Sequence, residues 1–176
     1  MSDFEHRSLA TWREFIGDNE DYYLRQWGAV TSESRRFGVH WAAFLFGPGW
    51  LLYRRMLRPA LVWSVGALVV ELVLFFGIRA AAGGAFEFTD ASLWKGVDVS
   101  VGLITNGIIA VKANAWYLDH ARARLISIAA DGASSAAKTR RVSEAGGVSW
   151  TLVIAVGMAL GAVQFVIERY LLHLPA

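Results

Sequence analysis

Residues 40–58, HWAAFLFGPGWLLYRRMLR, constrain this chain more than any other stretch. Residues 41–53 are uncharged, with Arg35 and Arg36 just before them and Arg54, Arg55 and Arg58 just after. Such a run is too short to cross a bilayer, which takes about 20 apolar residues in a helix. Basic residues stay preferentially on the cytoplasmic side of a membrane, and here both flanks are basic. A segment whose two ends belong on one side enters and returns, or lies along the surface. Gly47-Pro48-Gly49 breaks the helix at the centre, where such a turn would fall. Residues 40–58 are therefore expected to form a re-entrant or interfacial element on the cytoplasmic leaflet.

The bulk of the chain agrees with a membrane setting. Of its 176 residues, 55% are hydrophobic and eight are Trp, with a mean hydropathy of +0.39. The hydrophobic fraction and the mean hydropathy exceed the usual range of a soluble domain, and the eight Trp suit a protein with aromatic belts. Net charge is only +2 and the basic residues cluster beside apolar runs. That pattern points to anionic lipid headgroups on the cytoplasmic side as the counter-charge, and away from nucleic acid. The absence of cysteine excludes disulfides, thiolate zinc sites, iron–sulfur clusters and cysteine nucleophiles. Residues 1–40 are polar and mixed in charge, unlike a signal peptide, so the chain is expected to be kept whole.

In order, residues 1–39 read as a cytosolic, amphipathic helical segment. Thr11 and Glu14 have capping-box spacing, Gly17 can end that helix, and Asp18 can cap a second one carrying Tyr22, Tyr23, Leu24 and Trp27. Thr31 to Ser34 form a polar link into Arg35-Arg36. A three-span domain over residues 59–172 follows the 40–58 element. Its first span, 60–78, has Glu71 as its only charge. A short loop at 79–96 contains Gly83-Gly84, and Asp90 can cap a single turn through Leu93 and Trp94. The second span, about 99–118, ends at Trp116 and Tyr117 and continues into water to about Ala130, because nothing before Gly132 breaks it. Residues 131–147, small, polar and basic, read as a flexible cytosolic linker. The third span, 148–167, has no charge.

Lys and Arg concentrate in residues 1–58 and 119–147; the 79–97 loop has only Arg79 and Lys95, and the tail only Arg169. Positive-inside orientation then gives a cytoplasmic N-terminus, three crossings and an outside C-terminus. The fold expected is all-α: an integral membrane protein with three transmembrane helices, the short 40–58 element and an N-terminal amphipathic segment.

The run from His40 through Phe46-Gly47-Pro48-Gly49-Trp50 to Met56 resembles the signature of a bacterial inner-membrane family known only as domain of unknown function 2628. The upstream Phe15-Ile16-Gly17-Asp18-Asn19 with Tyr22-Tyr23-Leu24, and the downstream Asn114-Ala115-Trp116-Tyr117-Leu118 with His120-Ala121, are similar to other parts of it. Gly49 stands where that family more often has an aromatic residue, which implies a looser turn. The resemblance covers about residues 15–125. It implies a small multi-pass protein of the bacterial inner (cytoplasmic) membrane, and it carries over no activity and no catalytic residue.

Glu71 is the sharpest chemical signal. An ionisable group at mid-membrane costs on the order of 2.5–3.5 kcal/mol on insertion scales unless it is paired or protonated. Ala60, Ser64, Ala67 and Glu71 share one helical face, and Gly102, Asn106, Ala110 and Asn114 share another on the second span. Small residues permit close approach and polar ones hydrogen-bond across helices. In an antiparallel pair the depths agree, with Glu71 about 16 Å and Asn106 about 18 Å above the inner end. The two stripes are expected to face each other, with Glu71 bonded to Asn106 and Ser64 level with Asn114. Packing glue by a protonated Glu71 is the favoured reading, ahead of a proton or ion relay and of contact with a partner's helix.

Arg54, Arg55, Arg58, Arg122 and Arg124, with Lys112 snorkelling to their level, are expected to form a basic rim against anionic headgroups. Trp41, Trp50 and Trp116 would line it. Gly157 and Gly161 give the third span a G-x-x-x-G packing face. His40 and His120 fall near one interface, but their spacing defines no metal or haem set, and no cofactor is expected. No nucleophile motif, phosphate loop or carboxylate pair is present. The function that fits is non-enzymatic: an accessory, scaffolding or regulatory subunit of a larger membrane complex, in contact with other subunits or with itself. The alternatives are a small oligomeric transporter or channel using Glu71 and Asn106, and a membrane enzyme acting on lipid headgroups.

Overall fold

The computed structural model describes residues 9–28, 38–81 and 91–170. The polar link at Thr31–Ser34, Arg35-Arg36, Gly83-Gly84 and the Asp90 cap lie outside them. Every regular element among the described residues is a helix. Two short ones come first, α1 (Leu9–Ile16) and α2 (Glu20–Gly28). Gly17, with φ of 62°, stops α1 by donating its N–H to the Arg13 carbonyl at 2.9 Å. Asn19 rather than Asp18 then opens α2: its φ is 66°, and its carbonyl accepts from Tyr22 and Tyr23. Arg13 reaches back to Glu20 at 3.3 Å, tying the two helices together.

The 40–58 stretch does break at its centre, into α3 (Trp41–Phe46) and α4 (Pro48–Tyr53). Gly47 takes φ 49° and ψ −127°, a conformation open to glycine and closed to residues with a Cβ. Pro48 is the first residue of α4, where its missing N–H costs nothing. The end of α4 is a Schellman motif: Arg55 donates to Leu52 O at 2.9 Å, and Met56 donates to Leu51 O at 2.8 Å. Arg55 occupies the left-handed position (φ 59°) that glycine usually fills.

Three long helices follow the pattern of the apolar runs: α5 (Leu57–Ala81), α6 (Ala91–Ala130) and α8 (Trp150–Tyr170). All three are long and apolar enough to cross a membrane. The 40 residues of α6 extend about 60 Å, roughly twice the thickness of a hydrocarbon core, and the helix runs unbroken to Ala130, where its sequence predicts its end. It begins earlier than predicted. Neither the expected turn at Leu93-Trp94 nor Gly96 separates from it, because one glycine costs a helix only about 1 kcal/mol.

Residues 131–147 are not a flexible linker. They contain α7 (Ser135–Ala145), with Ser134 Oγ capping its N-terminus at Ala137 N–H and Gly146 ending it. Val142, its buried residue, packs into the core, and α7 lies on α1 and α6. Gly146 passes so close to the Phe15 carbonyl that a Cβ would come to 2.0 Å of it, and Gly147 N–H donates to the same carbonyl at 2.7 Å.

The core gathers at one end of the long helices. Phe15, Tyr23 and Trp27 from the N-terminal pair meet Trp50, Leu51 and Met56 from the broken element, Ile109, Tyr117 and Leu125 from α6, and Val142 from α7. The broken element is the hub: α3 packs on α6, and α4 packs on both α5 and α8. The apolar windows of α5 and α8 are almost wholly uncovered by protein, 6% and 0% buried.

Candidate functional site

The hub places one cation at the centre of an aromatic cage. Arg54 caps the C-terminus of α4 and is 3% exposed. Its guanidinium donates to the Ile16 carbonyl at 3.1 Å and the Asp18 carbonyl at 3.0 Å. It therefore satisfies the carbonyl end of α1, where a positive charge also complements the helix dipole. The guanidinium carbon lies 4.6 Å from the Tyr23 ring centre, 5.1 Å from that of Tyr117 and 5.7 Å from that of Tyr53. Desolvated contacts of this kind are worth about 2 kcal/mol each. Among the described residues no carboxylate pairs with Arg54, and its Nε–H is buried without an acceptor.

His40 completes the cage from α3. Its Nδ1 accepts the Ala43 N–H at 3.1 Å and so caps α3. In the neutral ring the proton must then sit on Nε2, which lies 3.0 Å from the Tyr23 hydroxyl. Burial, with the Arg54 charge adding to it, pushes the His40 pKa down to about 4. Burial also pushes the Tyr23 hydroxyl up to about 12, although Arg54 pulls the other way. Both groups are uncharged at neutral pH. Asn114 sits beneath them fully buried, donating to the Tyr22 hydroxyl at 3.3 Å while its backbone carbonyl accepts from Trp27 Nε1 at 3.2 Å.

Beside the cage a groove of about 700 Å³ opens between α2, the broken element and the first turns of α8. Arg54 and His40 line it with Trp50 and Tyr53, and Trp41 and Trp150 flank it. Both flanking Trp are mostly exposed.

The expected basic and aromatic rim is split by this arrangement. Arg54 and Trp50, one turn apart on the face of α4 turned to the protein, are buried and line the groove from inside. Arg55 is half-buried and donates to the Glu144 carbonyl of α7. Arg58, Lys112, Arg122, Arg124 and Trp41 are exposed, while Trp116 is half-buried with its ring 5.6 Å from that of Trp63.

The two polar stripes on α5 and α6 are also rearranged. The spacing predicts Asn106 and Asn114 opposite Glu71 and Ser64. Instead, Asn106 turns to the break in the hub, where a Cβ on Gly47 would meet its Oδ1 at 2.0 Å. Asn114 turns to α2, and the Ala110 carbonyl accepts the His40 N–H at 3.1 Å. The face of α6 that meets α5 carries Val101, Ile104, Thr105 and Ile108, opposite Trp63, Gly66, Ala67 and Val70. Ser64 and Glu71 are half-buried on α5. The stripe of small and polar residues on α6 was legible; its partner was not, because a short broken helix has no depth of its own by which to place it. Gly157 and Gly161 lie on an open face of α8, with nothing within 4 Å of where a Cβ would stand.

Fold and site together define an all-α protein with three helices able to span a membrane, assembled on a broken helical hub. The chain belongs to the family described as protein of unknown function DUF2628, whose profile matches residues 11–122. The match includes most of α1, all of α2 to α5 and most of α6, and so the whole Arg54 cage. No curated protein and no solved structure is a significant match.

Proposed function

We propose that this is a non-enzymatic protein of the bacterial inner membrane that serves as an accessory or scaffolding subunit of a larger membrane complex. The observation that carries this reading is α8. It is a full-length apolar helix whose main packing partner is the short α4, reached through its first turns, and none of its apolar window is buried. Beyond Val156 it presents Gly157 and Gly161, a face on which a second helix can approach closely. Small-residue faces drive helix association in lipid, where burial of apolar surface supplies no force. Three spans also provide too little wall to enclose a substrate path in one monomer. The excess of Lys and Arg in residues 1–58 and 119–147 supports a cytoplasmic N-terminus and an outside C-terminus.

Extraction from native membranes in mild detergent, followed by measurement of the mass and composition of the particle, tests this. Other membrane proteins are expected in fixed stoichiometry, and Gly157→Leu with Gly161→Leu should release them without unfolding the chain. A bare monomer or homo-oligomer would overturn the reading and direct attention to ion flux through Glu71.

A further inference from the structure

The geometry points to the groove beside Arg54 as a binding site for one anionic phospholipid, with the phosphate at the Arg54 end and an acyl chain leaving between Trp41 and Trp150. Charge is the first argument. Among the described residues lining the groove, Arg54 supplies the one formal charge and none is acidic. Within the protein Arg54 meets carbonyls and ring faces, which solvate a cation without neutralising it. A buried charge left uncompensated is costly, and its field in a low-dielectric wall falls on whatever occupies the adjoining space. Its Nε–H, buried and without an acceptor, marks the same deficit of negative partners.

Polarity along the groove is the second argument. The α2 side presents Asn19, Tyr22 and Gln26, whereas the α3 and α8 sides present Trp41, Phe46 and Val153. A cavity polar at one end and aromatic at the other matches an amphiphile better than a small ion or an apolar molecule. Position is the third. Trp150 is the first residue of α8, a helix able to span the bilayer, so the mouth lies at the level where a span ends and headgroups meet acyl chains. The volume of about 700 Å³ is that of a ligand site and holds a headgroup with the upper part of one chain.

Native mass spectrometry of the full chain in detergent, titrated with phosphatidylglycerol or phosphatidylcholine of the same chains, tests the site. Retention of one phosphatidylglycerol at a concentration at least tenfold below that needed for phosphatidylcholine is expected. Excess glycerol phosphate should leave it in place. Gly49 lines the groove from α4, and a Cβ there meets nothing within 4 Å. Gly49→Leu should therefore fill the groove and weaken retention at least tenfold while the melting temperature holds; should that variant fail to fold, Val153→Trp fills the groove from α8. Arg54→Gln, where it folds, should abolish the preference for the anionic lipid. Equal retention of the two lipids, or undiminished retention in the filled groove, would overturn the proposal. Displacement by glycerol phosphate would also overturn it, by showing a site for a soluble phosphate.

Discussion

Two glycines two residues apart in the hub do opposite work. Gly47 carries the break: its φ of 49° with ψ −127° excludes a side chain, and Asn106 fills the space a Cβ would need. Gly49 is an ordinary helical residue with open space beside it. Gly47→Ala should cost about 2 kcal/mol or more, combining backbone strain with displacement of Asn106. Gly49→Ala should stabilise by about 0.5–1 kcal/mol. Reversible unfolding in mixed micelles, followed by far-UV circular dichroism, reads both values. His40 adds a pH dependence. Its pKa near 4 in the folded protein lies below the ordinary 6.5, so between those values the unfolded chain binds more protons. Stability from this group is complete above about pH 6.5 and drains away as pH falls to about 4, on the order of 3 kcal/mol in all. Protonation would also place a hydrogen on Nδ1 and break the cap on α3. His40→Asn, which can still cap, should flatten that acid limb in denaturation measured from pH 7 to pH 4.

At the scale of elements, the short helices α1 and α7 are held by backbone contacts that leave little room. The C-terminal turn of α1 and the end of α7 meet at Phe15 and Gly146, where even a methyl group does not fit. Gly146→Val should undock α7 and expose Lys138, Arg140 and Arg141 to trypsin, whereas the native chain should be cut there slowly. Far-UV helicity should fall by little. These contacts also mark where the sequence is readable. The three long helices are legible because uninterrupted apolar runs leave few other folds, and the break at 47–48 is legible because Gly and Pro restrict the backbone. The burial of Arg54 is not. Arg54, Arg55 and Arg58 look alike in sequence, and only packing of Tyr23 and Tyr117, distant in the chain, makes one of them a core residue. α7 is hidden for a related reason. Its composition is that of a linker, and one buried apolar residue, Val142, is too little periodicity to reveal a docked helix.

At the scale of the whole molecule, the packing is lopsided. One end is a dense aromatic core built from seven elements, and the other is long apolar helix with little protein around it. That division is compatible with a membrane protein, since large bare apolar faces are a mark of a membrane or protein partner. The hub joins the two regions: it begins at the cap made by His40, ends at the caged Arg54, and sends Tyr53 O to accept the Ser149 N–H at 2.9 Å just before α8. Residues 41–53 form a hub that protein covers at Leu51 and Leu52 and leaves open at Leu45 and Phe46, unlike a segment lying bare on all sides. The cysteine-free sequence allows one direct measurement, the rate at which a small membrane-permeant maleimide labels single cysteines at positions 45, 46, 51 and 52 in the detergent-solubilised protein. Leu45→Cys and Phe46→Cys, at sites 69% and 65% exposed, should label at the rate of an open thiol. Leu51→Cys and Leu52→Cys should label at least a hundredfold more slowly until the protein is unfolded in dodecyl sulfate. Equal rates at all four positions would contradict the hub and return residues 41–53 to the membrane surface.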